Sequence, residues 1–163
     1  MIKEATSYGD VGSAPGTNIL IGRNHAVTNE SFRWTQEYSV NKAALDRQHQ
    51  KLFDTVNELH AALRTGIGNV VLDEILEQLE DYAHTHFADE ESLMEQHAFP
   101  GLSAHRVQHQ MFREKMADFL AQHKAGRAGV PVELMLFMQD WLKQHVLKTD
   151  KQYSAFLNAR GVQ

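Results

Sequence analysis

Two short stretches limit what this chain can become. His86-Phe87-Ala88-Asp89-Glu90 and, nineteen residues on from its first member, His105-Arg106-Val107-Gln108-His109 each set two metal-ligand side chains four positions apart. On an α-helix that spacing puts both on one face, a turn apart. Both pairs also fall in phase with apolar neighbours, on the stripe where a globular protein places leucine or isoleucine. A chain built this way must fold so that its stripes meet, with whatever the polar interruptions bind lying between them.

The stripes number four. Leu45, His49, Leu52, Val56, Leu59 and Leu63 recur at spacings of 4, 3, 4, 3 and 4, the signature of a helical seam. Leu72, Ile75, Leu79, Tyr82, His86, Glu90 and Leu93 form the second, and Leu102, His105, His109, Phe112, Met116 and Phe119 the third. Leu134, Met138, Trp141 and His145 form the fourth. Glycine-bearing breaks at 64–69, 99–101 and 124–130 separate them, and Pro131 suits the first turn of the last helix. Short connections make neighbouring helices antiparallel. The expected fold is therefore all-α, an up-down-up-down antiparallel four-helix bundle over residues 34–163. Residues 1–33 carry four of the ten glycines and Pro15 without any period, and are expected to form an irregular N-terminal arm. Trp34, Tyr38 and Val40 mark where it begins to pack.

The fourth stripe holds an anomaly. Asp150 follows His145 by five residues, and Tyr153, Phe156 and Leu157 keep step with Asp150. Five residues turn a regular helix by about 500°, leaving Asp150 about 140° out of phase with His145. A one-residue widening, a π-bulge, restores a common face. The spacing predicts one between His145 and Asp150, followed by a short C-terminal helical extension.

Composition removes several classes of function. The 163 residues include no cysteine, so disulfides, iron–sulfur clusters and thiolate zinc sites are out. A net charge of −5 argues against a nucleic-acid partner. No apolar run approaches the roughly 18 residues of a membrane span, and Ile19-Leu20-Ile21 is too short for a signal peptide core. The expectation is a cytoplasmic protein, a monomer without membrane or nucleic-acid partners.

Seven seam positions are not hydrophobic: His49, His86, Glu90, His105, His109, His145 and Asp150. Two buried carboxylates without counter-charge would each cost several kcal/mol, and a cation removes that cost. Nitrogen and oxygen donors without sulfur suit iron, manganese or zinc. Seven donors are too many for one tetrahedral zinc, whereas two octahedral ions fit. If Glu90 and Asp150 bridge them together with one oxygen atom, a single coordination position stays open, as a small diatomic ligand requires.

The order His, His-x-x-x-Glu, His-x-x-x-His, His-x-x-x-x-Asp resembles the hemerythrin family, in particular its bacterial members. Asp46-Arg47-Gln48-His49, His86-Phe87 with Glu90-Glu91 and Met94, and His105 with His109 look like that family's motifs. The resemblance implies a non-heme di-iron centre with an oxo or hydroxo bridge that binds O2 reversibly, for storage, delivery or scavenging. His105, His109 and His145 would hold one iron, His49 and His86 the other, and Glu90 and Asp150 would bridge. It also implies an O2 pocket near the two-histidine iron, walled by Phe87, Trp141, Leu142 and Val146, with Phe53 one turn after His49. An oxygen or redox sensor acting through a partner protein is the alternative, and a di-iron oxidoreductase a more distant one. Five histidines against two carboxylates favour Fe(II), hence binding and not catalysis. His25, His60, His84, His97 and His123 are expected to stand apart from the metals, and Asp89 and Glu91 to be solvated.

Overall fold

The computed structural model describes residues 32–162. The arm expected over 1–33, apart from its last two residues, and His25 lie outside the described residues. A 3-10 turn, Gln36–Tyr38, leads into α1, Ala43–Arg64. Then come α2, Gly68–Gln96, α3, Leu102–Lys124, and α4, Val130–Trp141. A π-helical segment, Leu142–Thr149, joins α4 to α5, Asp150–Asn158, through helical dihedrals at both junctions. The last three segments thus form one long fourth helix. Among the described residues there is no strand, and no helix is long and apolar enough to cross a membrane.

Local sequence explains the turns. Gly66 at φ 76° lets the Ile67 N–H return to the Ala62 carbonyl at 2.9 Å, and Gly126 at φ 72° does the same for Arg127 and Gln122 at 3.0 Å. This closure satisfies carbonyls that a helix end leaves unpaired. Helix α2 ends alike, with the Phe99 N–H on the Met94 carbonyl at 2.9 Å, but there Ala98 occupies the left-handed position at φ 52°. Such tight reversals bring α1 against α2, α2 against α3, and α4 against all three, the expected antiparallel bundle.

The core is split in two. A large apolar cluster, from Leu52 and Phe53 on α1 to Leu142 and Val146 on the fourth helix, fills one part. A smaller one of Val40, Leu45, Met94, Tyr153 and Leu157 fills the other. Each helix passes from one cluster to the other through polar residues: His49 on α1, His86 and Glu90 on α2, His105 and His109 on α3, His145 and Asp150 on the fourth. Fully burying a large apolar side chain is worth about 1.5–3 kcal/mol, so the two clusters clamp this polar layer from both sides. On α2 the seam ends on Met94, which is fully buried, while Leu93 is half-buried. A regular helix drifts about 20° per heptad against a strict seven-residue repeat, and α2 runs for 29 residues.

Candidate metal centre

All seven polar seam residues meet in that layer, each at most 3 % exposed. Glu90 divides its two oxygens between two groups of histidines. Oε1 lies 3.4 Å from His86 Nε2 and 4.0 Å from His49 Nε2, while Oε2 lies 3.3 Å from both His105 Nε2 and His109 Nε2. Asp150 divides its own in the same sense. Oδ2 is 3.4 Å from His49 Nε2, and Oδ1 is 3.2 Å from His145 Nε2 and 3.6 Å from His105 Nε2. Asp150 reaches this position because its backbone N–H bonds to the His145 carbonyl, five residues back. The widened turn brings the two side chains onto one face, as the spacing required.

Outer partners fix which ring nitrogen faces inward. His86 Nδ1 donates to Gln48 Oε1 at 2.9 Å, and the Gln48 amide N–H donates to Asp89 at 2.6 Å, which orients the glutamine. His145 Nδ1 donates to Gln108 Oε1 at 2.9 Å. His109 Nδ1 donates to Glu91 Oε1 at 2.8 Å, and Arg106 holds that carboxylate at 3.1 Å. A neutral imidazole that donates through Nδ1 presents a bare lone pair at Nε2. At His86 and His109 that lone pair faces an oxygen of the ionised Glu90, acceptor against acceptor, and a cation between them resolves the clash; at His145 it faces Asp150 Oδ1. Among the described residues, Nε2 of His49, His86, His109 and His145 and both oxygens of Asp150 find no hydrogen-bond partner. Such orphaned buried atoms cost about 1–3 kcal/mol each. The donors fit metal on both sides of the layer: Glu90 with His105, His109 and His145, and Glu90 with His49 and His86, form two groups that could hold an ion.

Electrostatics divide the carboxyls. Burial pushes Glu90 upward, but His86, His105 and His109 around it outweigh that and hold it well below the usual carboxylate range. Burial and the neighbouring Glu90 push Asp150 well above its ordinary value. Burial lowers His49 to about 3 and His145 to about 2. Both rings are therefore neutral at physiological pH, the form that binds metal.

Aromatic rings cover the layer. Phe87 stacks on His109 with centroids 3.8 Å apart, and Trp141 stacks on His145 at 3.9 Å. These two expected pocket residues thus lie flat against the three-histidine group. Leu142, Val146 and Phe53 are buried in the large apolar cluster. On the two-histidine side, Trp34 packs 6.1 Å from His49 and Tyr82 stacks on His86 at 4.7 Å. Asn57 pins the segment that carries Trp34 by exchanging two hydrogen bonds with the backbone of Phe32.

Several participants escape a reading of the stripes. Glu91, expected to be solvated, is part-buried and supports His109. Tyr153, expected as an apolar residue, donates its hydroxyl to Glu90 Oε1 at 2.5 Å. The signal was its phase with Asp150, which puts a phenol one turn from a carboxylate. Of the other histidines, His84 is exposed, His123 lies 3.6 Å from Asp73, and His60 is buried with Phe32 edge-on at 6.4 Å.

The sequence matches the Hemerythrin HHE cation binding domain over residues 41–157. It is 35% identical to a bacteriohemerythrin of Methylococcus capsulatus over 127 residues, covering 77% of this chain and 96% of that protein. A bacteriohemerythrin of Stenotrophomonas maltophilia is 29% identical over 121 residues, 74% of this chain and 78% of the relative. A myohemerythrin of Theromyzon tessulatum is 27% identical over 128 residues, 78% and 95% respectively. With the family's domain spanning most of the chain, on a four-helix bundle that gathers its histidines and acids in one buried layer, the protein belongs to the hemerythrin family.

Proposed function

We propose that the protein binds O2 reversibly at a non-heme di-iron centre. His105, His109 and His145 would hold one iron, His49 and His86 the other, and Glu90 and Asp150 would be shared between the two. The observation that carries this reading is how both carboxylates share out their oxygens. Each gives one oxygen to the three-histidine group and the other to the two-histidine group.

When bound, two Fe(II) ions supply the two electrons that O2 takes up and gives back. The protein's own groups do the rest. Five imidazoles and two carboxylates stabilise the lower oxidation state, which favours holding O2 over activating it. Unequal histidine numbers leave the His49–His86 side one donor short. Gln48, Gln108 and Glu91 keep lone pairs pointed inward, and Tyr153 holds Glu90 across the pair. Phe87, Trp141, Leu142 and Val146 exclude water, which keeps hydrogen bonds and charges inside the layer strong. All seven donors come from one chain, so a monomer completes the centre.

Loading the protein anaerobically with Fe(II) and then admitting air tests the proposal. A visible charge-transfer band should appear, vanish under vacuum and return with air. A band that never reverses, or steady consumption of O2 with an added reductant, would replace binding by oxidation chemistry.

A further inference from the structure

The Tyr82 ring covers His86, but its hydroxyl has no role in the centre described above. Its ring stacks on His86 with an interplanar angle of 19°, and the residue lines a groove of about 520 Å³ between α1 and α2. The hydroxyl is buried and finds no hydrogen-bond partner among the described residues. Phe87 and Phe112 lie edge-on to the ring, with centroids at 5.8 and 6.5 Å. An unpaired phenol in such surroundings is a cost that a phenylalanine at this position would not carry.

Among the described residues His49 Nδ1, Gln139 Nε2 and Trp141 Nε1 are also buried without a partner; the Trp141 ring stacks on His145, in the three-histidine group. Tyr82 instead flanks His86, on the side left one donor short. We propose that the Tyr82 hydroxyl donates a hydrogen bond to the small anionic or partly reduced ligand taken up on the His49–His86 side of the centre. This rests on the di-iron reading above. It gives the buried hydroxyl the acceptor it lacks.

Azide, a small linear anion, serves as the probe. The iron-loaded, air-oxidised wild type and Tyr82→Phe are titrated with azide in the visible region, and both metal-free proteins are melted. The proposal expects the azide dissociation constant to rise on the order of ten-fold in Tyr82→Phe, the loss of one hydrogen bond to a charged acceptor. It expects the metal-free variant to melt at the same temperature as wild type or higher, since no internal bond is lost. Equal azide affinity in the two proteins overturns it. So does a lower metal-free melting temperature, which would show the hydroxyl already bonded inside the protein. If the wild type itself holds no iron pair or takes up no azide, the di-iron reading fails, a result distinct from equal affinity.

Discussion

Replacing Asp150 by asparagine should stabilise the metal-free protein and weaken the metal-loaded one. In the folded chain this carboxyl is fully buried, and its oxygens face His145 Nε2 at 3.2 Å and His49 Nε2 at 3.4 Å. Burial and Glu90 raise its pKa, so the folded state keeps a proton that the unfolded chain releases at ordinary acidity. A raised carboxyl pKa lowers stability as pH climbs above the unfolded value, by up to about 1.4 kcal/mol per pH unit until the folded group also ionises. An asparagine carries no such penalty, and its amide N–H can donate to His145 Nε2. The variant's advantage should therefore widen as pH rises from 5 toward 7, by no more than that slope per unit.

His49 and His145 act in the opposite direction. Their folded pKa values of about 3 and about 2 lie below the unfolded value. Their stabilisation is complete above about pH 6.5 and is lost as pH falls toward the folded values. To first order that loss is common to both proteins, so the difference between them isolates the carboxyl. Metal should reverse the order: at a thousand-fold excess over its dissociation constant, a bound ion adds about 4 kcal/mol to the wild type, and the variant lacks one bridge. Melting curves with and without Fe(II) at pH 5, 6 and 7 read all of this. A metal-free variant less stable than wild type at pH 7, or one that gains as much from iron, would refute the reasoning.

Three further substitutions probe separate parts of the account. Ala98→Gly relieves a left-handed alanine at φ 52° and should add about 0.5–1 kcal/mol, read by urea denaturation. Glu91→Gln removes the anion behind His109 and should weaken iron retention about ten-fold against a competing chelator, with the helical circular dichroism unchanged. Phe87→Ala empties a fully buried ring site stacked on His109 and should cost about 3–5 kcal/mol by urea denaturation, with faster loss of the O2-dependent band.

The stripes made the bundle and the polar layer legible. Polar residues in phase with leucines can only be buried, and a five-residue step between His145 and Asp150 can share a face only if the helix widens. The outer partners were hidden for a reason of geometry. Gln48 sits next to His49 but serves His86, Gln108 sits next to His109 but serves His145, and Glu91 sits next to Glu90 but serves His109. Each lies on one helix and acts on another, and helical phase carries no information across the interface. Tyr82 and Tyr153 were read as apolar because their rings keep the stripe, and the stripe says nothing of where a hydroxyl ends. Likewise Met94 replaced Leu93 in the seam because small angular drift accumulates along a long helix.

The central claim is that two irons lie between the split carboxylates. Its most direct test is the iron content of protein loaded with Fe(II) and freed of excess metal, measured together with X-ray absorption at the iron edge. The account predicts two irons per chain with a clear iron–iron scattering vector, both lost when Glu90 is replaced by alanine. One iron per chain, or two without that vector, would contradict it.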